Sequence, residues 1–124
     1  MLDHVSIGVR DAAKARAFYD AVFAALGATA LHAGEGYAGY GRAAPQFWVQ
    51  EAARPVPADM GSGLHFCFTA DSRAAVAAFH AAALRHGGTC NGAPAPRPDY
   101  GPTYYAAFAI DPDGYRIEAH TEAA

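Results

Sequence analysis

HVSIGVRDAAKARAFYDAVFAALGA, residues 4–28, lies over HFCFTADSRAAVAAFHAAALRHGGT, residues 65–89, under the single ungapped offset that carries His4 onto His65. The same offset sets Ile7 against Phe68, Phe18 against Phe79, Phe23 against Leu84 and Gly27 against Gly88. Two unrelated Ala-rich strand–helix units would share composition. They would not share a histidine, an aromatic position and a helix stop at one offset, so the pattern reads as an internal duplication.

Each copy opens with the same local pattern. Leu2–Val9 alternates like a strand; Asp11 then caps a helix running to Leu26, and Gly27 stops it. Phe18, Val22, Phe23 and Leu26 share one side of that helix. In the second copy Leu64–Thr69 is the strand, Asp71 or Ser72 the cap, Val76, Phe79 and Ala83 the buried stripe, and Gly87-Gly88 the stop. Working outward, short strands are expected at Thr29–Ala33, Gly36–Arg42 and Gln46–Glu51, then at Thr89–Gly92, Tyr104–Ile110 and Tyr115–His120. Asp111-Pro112-Asp113-Gly114 joins the last two as a tight hairpin, with Pro early and Gly where positive φ is needed. The Pro-rich stretches Arg54–Pro57 and Ala93–Pro102 are expected to be irregular, the first a link between copies and the second a loop near a site. The expectation is an α+β fold of two tandem βαβββ modules, about residues 1–54 and 62–124, within a single domain spanning 1–124.

Composition removes several function classes. A net charge of −3 gives no basic field for nucleic acid. No apolar run approaches the ~18 residues that cross a bilayer, and the N-terminus lacks the pattern of a signal peptide. Cys67 and Cys90 form no CxxC pair and no disulfide framework. A cytoplasmic protein handling a small molecule is the expectation, without nucleic-acid or membrane partners.

Strand alternation then sorts side chains onto two faces. Val5, Ile7, Phe66, Phe68, Ile117, Phe47 and Val49 are apolar and turn towards the helices. His4, Gln50, His65 and Glu118 fall on the opposite face. Laying WVQEA over RIEAH pairs Gln50 with Glu118, so the four read as two duplicated pairs. Any one of them alone is as readily a solvated polar residue. Two imidazoles and a carboxylate on one face, with positions left open, suit Fe²⁺, Mn²⁺, Ni²⁺ or Zn²⁺. Tyr100, Tyr104 and Tyr105 follow the Pro/Gly loop and are candidates to contact substrate, although Tyr104 and Tyr105 cannot both face one side. Trp48 shares the Gln50 face, either as a pocket wall or as packing. Cys67 and His120 are lesser candidates on the same face.

HVSIGVRD with AFYDAVFAALG, GLHFCF and IDPDGYRIEAH resemble the opening, middle and closing signatures of the vicinal oxygen chelate superfamily. That superfamily includes glyoxalases, bleomycin-resistance proteins and extradiol dioxygenases, and the resemblance spans essentially the whole chain. It implies a curved, cup-shaped mixed sheet with the helices outside and one divalent metal held by His4, His65 and Glu118. Gln50 falls where the glyoxalase I branch carries a glutamate. It further implies a homodimer, in some members with each site drawing ligands from both chains. The leading expectation is a metal-dependent glyoxalase- or lyase-like enzyme acting on a small oxygen-rich molecule through bidentate chelation, with Glu118 and Gln50 as catalytic candidates. True glyoxalase I activity is not expected. The alternative is a non-catalytic protein that sequesters an antibiotic-like small molecule. An extradiol dioxygenase is disfavoured because common members carry two such domains.

Overall fold

A computed structural model describes all 124 residues. The first module runs β1 (Val5–Val9), α1 (Ala12–Ala25), β2 (Thr29–Gly34), β3 (Tyr37–Gly41) and β4 (Phe47–Glu51). The second runs β5 (His65–Thr69), α2 (Arg73–Arg85), β6 (Thr89–Pro96), β7 (Tyr105–Ile110) and β8 (Arg116–Thr121), after a short 3₁₀ turn at Met60–Ser62. Two four-stranded mixed sheets result, ordered β1-β4-β3-β2 and β5-β8-β7-β6, and neither closes on itself. The duplicated βαβββ architecture is therefore present in full.

The caps follow from the side chains at the helix starts. Asp11 accepts from the Lys14 amide, and Ser72, not Asp71, accepts from the Ala75 amide. At the first helix stop Gly27 takes a positive φ of 76°, and at the second it is Gly87, at 96°. The ungapped offset had matched Gly27 to Gly88, so α2 ends one residue early and the repeat slips there. Gly88 has a different role: a Cβ on it would stand 2.7 Å from the Phe18 ring.

One strand departs from expectation. β6 continues through Ala93-Pro94-Ala95-Pro96, where an irregular loop was expected. β6 is an edge strand with register shifts after Cys90 and Gly92, and an edge tolerates residues that cannot donate to a ladder.

Both modules contribute to one core. Phe23 and Phe47 from the first meet Phe68 from the second at centroid distances of 4.9 and 5.2 Å, and Phe47 meets Phe66 at 5.4 Å. These are edge-on arrangements, the geometry that aromatic quadrupoles favour. Leu84, offset partner of the buried Phe23, is instead 45% exposed.

The hairpin at Asp111–Gly114 also clasps the modules together. Asp111 Oδ1 accepts from the amides of Asp113 and Tyr115, and its Oδ2 accepts from the Tyr19 hydroxyl on α1 at 2.6 Å. Tyr115 donates to the Gly8 carbonyl at 2.6 Å, and the Arg10 amide donates to Asp113 at 3.0 Å. Burial pushes the Asp111 carboxyl up to about 6, opposed by the hydrogen bonds from Tyr19 and the two amides. A carboxyl raised above its unfolded value of ~3.9 favours folding while protonated. Its contribution, on the order of 2–3 kcal/mol, is full below about pH 4 and is lost as pH rises through about 6. A ¹³C titration of the Asp111 carboxyl should show a midpoint near 6. Tyr19→Phe should move it higher, because that hydroxyl stabilises the ionised form. A midpoint near 4 in the native protein would remove the argument.

Candidate functional site

The outward face of the second sheet carries a connected polar cluster. Alternation along β5 leaves His65 and Cys67 facing away from α2, while Phe66 and Phe68 turn inward. Cys67 pairs across the ladder with Glu118 of β8, which puts His65 diagonal to that glutamate. His65 Nε2 and Glu118 Oε1 lie 2.8 Å apart. The other carboxylate oxygen, Oε2, accepts from the Tyr104 hydroxyl at 2.5 Å. The Glu118 side chain is only 6% exposed, and the one basic side chain paired with it is His65.

Two aromatic neighbours fix Tyr104. Its ring stacks on His120 at 4.4 Å and 19°, and Tyr100 approaches its edge at 5.4 Å. Burial first, then the bond to Glu118, raises the phenol above its ordinary value, so Tyr104 is a proton donor at neutral pH. Cys67 Sγ sits 3.6 Å from His120 Nδ1 and 3.9 Å from the Tyr104 oxygen. Burial and the Glu118 charge push that thiol up to about 12. A protonated filler between polar groups is what these contacts describe.

The remaining candidates separate. Tyr105 lies on the other face, under the Arg73 guanidinium at 4.7 Å, and so does not join Tyr104. Trp48 and Gln50 lie on the outward face of the first sheet, where Trp48 stacks on His32 at 6.0 Å and 14°. A Cβ on Gly39 would stand 2.7 Å from the Trp48 ring, so the indole needs a glycine beneath it. His4 precedes β1, is about half-exposed, and touches Asp3 at 2.7 Å. No three potential metal-ligating side chains converge within one chain. The expected trio does not converge: His65 and Glu118 meet, and His4, in contact with Asp3, does not join them.

The ladder registers also revise the duplication. Ser6 pairs with Trp48 as Cys67 pairs with Glu118, and Ser6 and Cys67 are matched by the repeat. Trp48, not Gln50, therefore occupies the position equivalent to Glu118. The segment match WVQEA over RIEAH was two residues out of step. Sequence reasoning also missed Arg97, whose guanidinium lies 5.1 Å over the Phe108 ring, itself 6.1 Å from the His65 ring. Its Nε is buried without a partner. Nothing in local sequence marked it, since its placement depends on β6 running on through two prolines.

Residues 1–119 match the profile of the Glyoxalase/Bleomycin resistance protein/Dioxygenase superfamily. The chain belongs to that superfamily. A glyoxalase/bleomycin resistance protein from Albidiferax ferrireducens is 35% identical, with a TM-score of 0.83 over 97% of this chain and 98% of that one. A family enzyme from Burkholderia phytofirmans superposes with a TM-score of 0.73 at 19% identity, covering 98% of each chain. The fosfomycin resistance protein FosX from Mesorhizobium loti gives 0.69 at 17% identity, over 98% of this chain and 91% of that one, a likeness of fold. No curated protein matches the sequence. No helix is long and apolar enough to cross a membrane.

Proposed function

We propose that this superfamily member is a divalent-metal-dependent enzyme of the glyoxalase/lyase-like type, acting as a homodimer on a small oxygen-rich molecule. The observation that carries the reading is the His65–Glu118 pair, 2.8 Å apart on a sheet face with the carboxylate buried. A buried carboxylate facing an imidazole and no fixed cation is an anionic donor set suited to a divalent ion, by the chemistry of its nitrogen and oxygen atoms. His65 Nε2 and Glu118 Oε1 would hold the metal. His4 from a second copy would complete the set, since His4 does not join the pair within its own chain. When bound, the metal supplies Lewis-acid stabilisation of negative charge on neighbouring substrate oxygens.

The chain's own groups supply the rest. Tyr104 fixes Glu118 Oε2 through its hydroxyl and can return a proton to an oxygen near that point. Glu118 is the carboxylate at that point and would accept a proton from the substrate. Arg97, with Nε unpartnered beside Phe108, would receive an anionic end of the substrate. Trp48 of the partner would wall the apolar side, with Gln50 further along the same strand.

The free edges support the dimer. β1 and β5 each pair on one side only, and an exposed strand edge is a template for pairing with another chain. An open groove of about 600 Å³ runs along the β5 edge, with His4 and His65 on its walls and Phe47, Phe66 and Phe68 at its base. Light scattering should give twice the chain mass at micromolar concentration; a monomer would end the shared-site reading. Protein loaded separately with Fe²⁺, Mn²⁺, Ni²⁺ and Zn²⁺ and then desalted should retain about one ion per chain for at least one metal, a closed set of N/O ligands being the condition for retention. His65→Ala and Glu118→Gln should each lower retention at least roughly tenfold while circular dichroism is unchanged. Wild-type protein that retains none of the four would be a small-molecule binding protein instead.

A further inference from the structure

We propose that Cys90 and His80 form a nucleophile–base pair on the helix side of the second sheet, and that Cys90 is a site of reversible modification by small disulfides. His80 Nε2, on α2, lies 3.1 Å from Cys90 Sγ at the start of β6. The pair is apart from the His65–Glu118 site. Cys90 stands opposite Ala109, which is fully buried on the helix side, whereas Glu118 stands opposite Phe108 on the outward face. The two sites are on opposite faces of one sheet.

Two further observations separate this pair from an ordinary surface thiol. His80 is only 9% exposed, while Cys90 is exposed, so a base fixed in the wall is aimed at a sulfur that reagents can reach. Burial alone lowers the His80 pKa, with no charged group contributing, so the ring is neutral at pH 7; in the tautomer with its proton on Nδ1, Nε2 accepts from the thiol. The other free cysteine has a looser histidine contact, its sulfur lying 3.6 Å from His120 Nδ1, where Cys90 lies 3.1 Å from His80 Nε2. Cys90 also lies on an edge strand, beside the register shift between Cys90 and Gly92, which leaves the sulfur open to a bulky partner.

The chemistry balances with a small disulfide as the oxidant. Only a few per cent of an unassisted thiol is ionised at pH 7, and the thiolate is the nucleophile. As Cys90 Sγ attacks one sulfur of R–S–S–R, its proton passes to His80 Nε2. A Cys90–S–S–R bond forms, the reagent's S–S bond breaks, and the leaving thiolate takes the proton from the imidazolium. Excess thiol reverses the exchange.

The test uses the full chain and glutathione disulfide at pH 7, with each cysteine followed by peptide mass spectrometry. Cys90 should be modified about tenfold faster in the native protein than in the urea-unfolded chain, a conservative share of what positioned bases provide. His80→Gln should remove that advantage with the Cys67 rate unchanged, and dithiothreitol should restore the free thiol. A native Cys90 rate no greater than the unfolded rate would overturn the proposal, and so would an unchanged rate in a folded His80→Gln variant. The unfolded reference keeps the test decisive if that variant does not fold.

Discussion

Coexpression of His4→Ala and Glu118→Gln chains should restore metal binding that neither variant shows alone. Each variant as a homodimer lacks one ligand at both of its sites. In a mixed dimer one site receives His4 from the Glu118→Gln chain together with His65 and Glu118 from the His4→Ala chain, and is complete. The other site lacks both. Random pairing makes half the dimers mixed, so total metal should recover to about a quarter of wild type, as symmetric two-site assembly dictates. The geometry behind this is the division of the trio: His65 and Glu118 are 2.8 Å apart, and no third potential ligand joins them in one chain. A site completed within one chain would give no recovery at all. Metal retained by His4→Ala alone would show that His4 is not a ligand.

Much of the fold was legible because its signals are local. Asp11 and the αL position at Gly27 define a helix start and stop within a few residues, and the Asp111–Gly114 turn needs only its own side chain and one glycine. What was not legible depended on neighbours. Pro94 and Pro96 rule out a central strand, yet β6 is an edge, and edge status is a property of sheet order. The one-residue slip at Gly87 is similar: two adjacent glycines can both end a helix, and packing of Gly88 against Phe18 decides between them.

The site shows the same division. Alternation placed His65 and Glu118 on one face, and the β5–β8 register then brought them together. Alternation also required that Tyr104 and Tyr105 part company, and Arg73 holds the second. It could not say which tyrosine bonds Glu118. Nor could face assignment alone fix how far along β4 the counterpart of Glu118 falls. Trp48 and Gln50 share a face, and only the ladder to β1 distinguishes them. His4 lies just before β1, beside Asp3, so alternation along that strand does not place it.

That register bears directly on the expected lack of glyoxalase I activity: purified, metal-loaded protein should not isomerise the hemithioacetal of glutathione and methylglyoxal at kcat/KM of ~10⁴ M⁻¹ s⁻¹, the low end for ordinary enzymes. Moving a proton between adjacent carbons is served by a carboxylate on each side of the substrate, and the resemblance to the glyoxalase I branch implies one from each module. Here the second module supplies Glu118, whose oxygens meet His65 and Tyr104. The equivalent position in the first module is an indole, Trp48, stacked on His32 and seated over Gly39. An indole N–H can donate a hydrogen bond but accepts no proton at neutral pH, and neither does the Gln50 amide two residues on. The two substitutions that could restore a carboxylate therefore differ in prospect. Trp48→Glu places it in register with Glu118, whereas Gln50→Glu places it one full side-chain repeat further along β4. If either variant gains hemithioacetal turnover, it should be Trp48→Glu. Turnover by the wild-type protein at or above the stated level would show that one carboxylate suffices, and the assignment of Trp48 as the missing partner would fall.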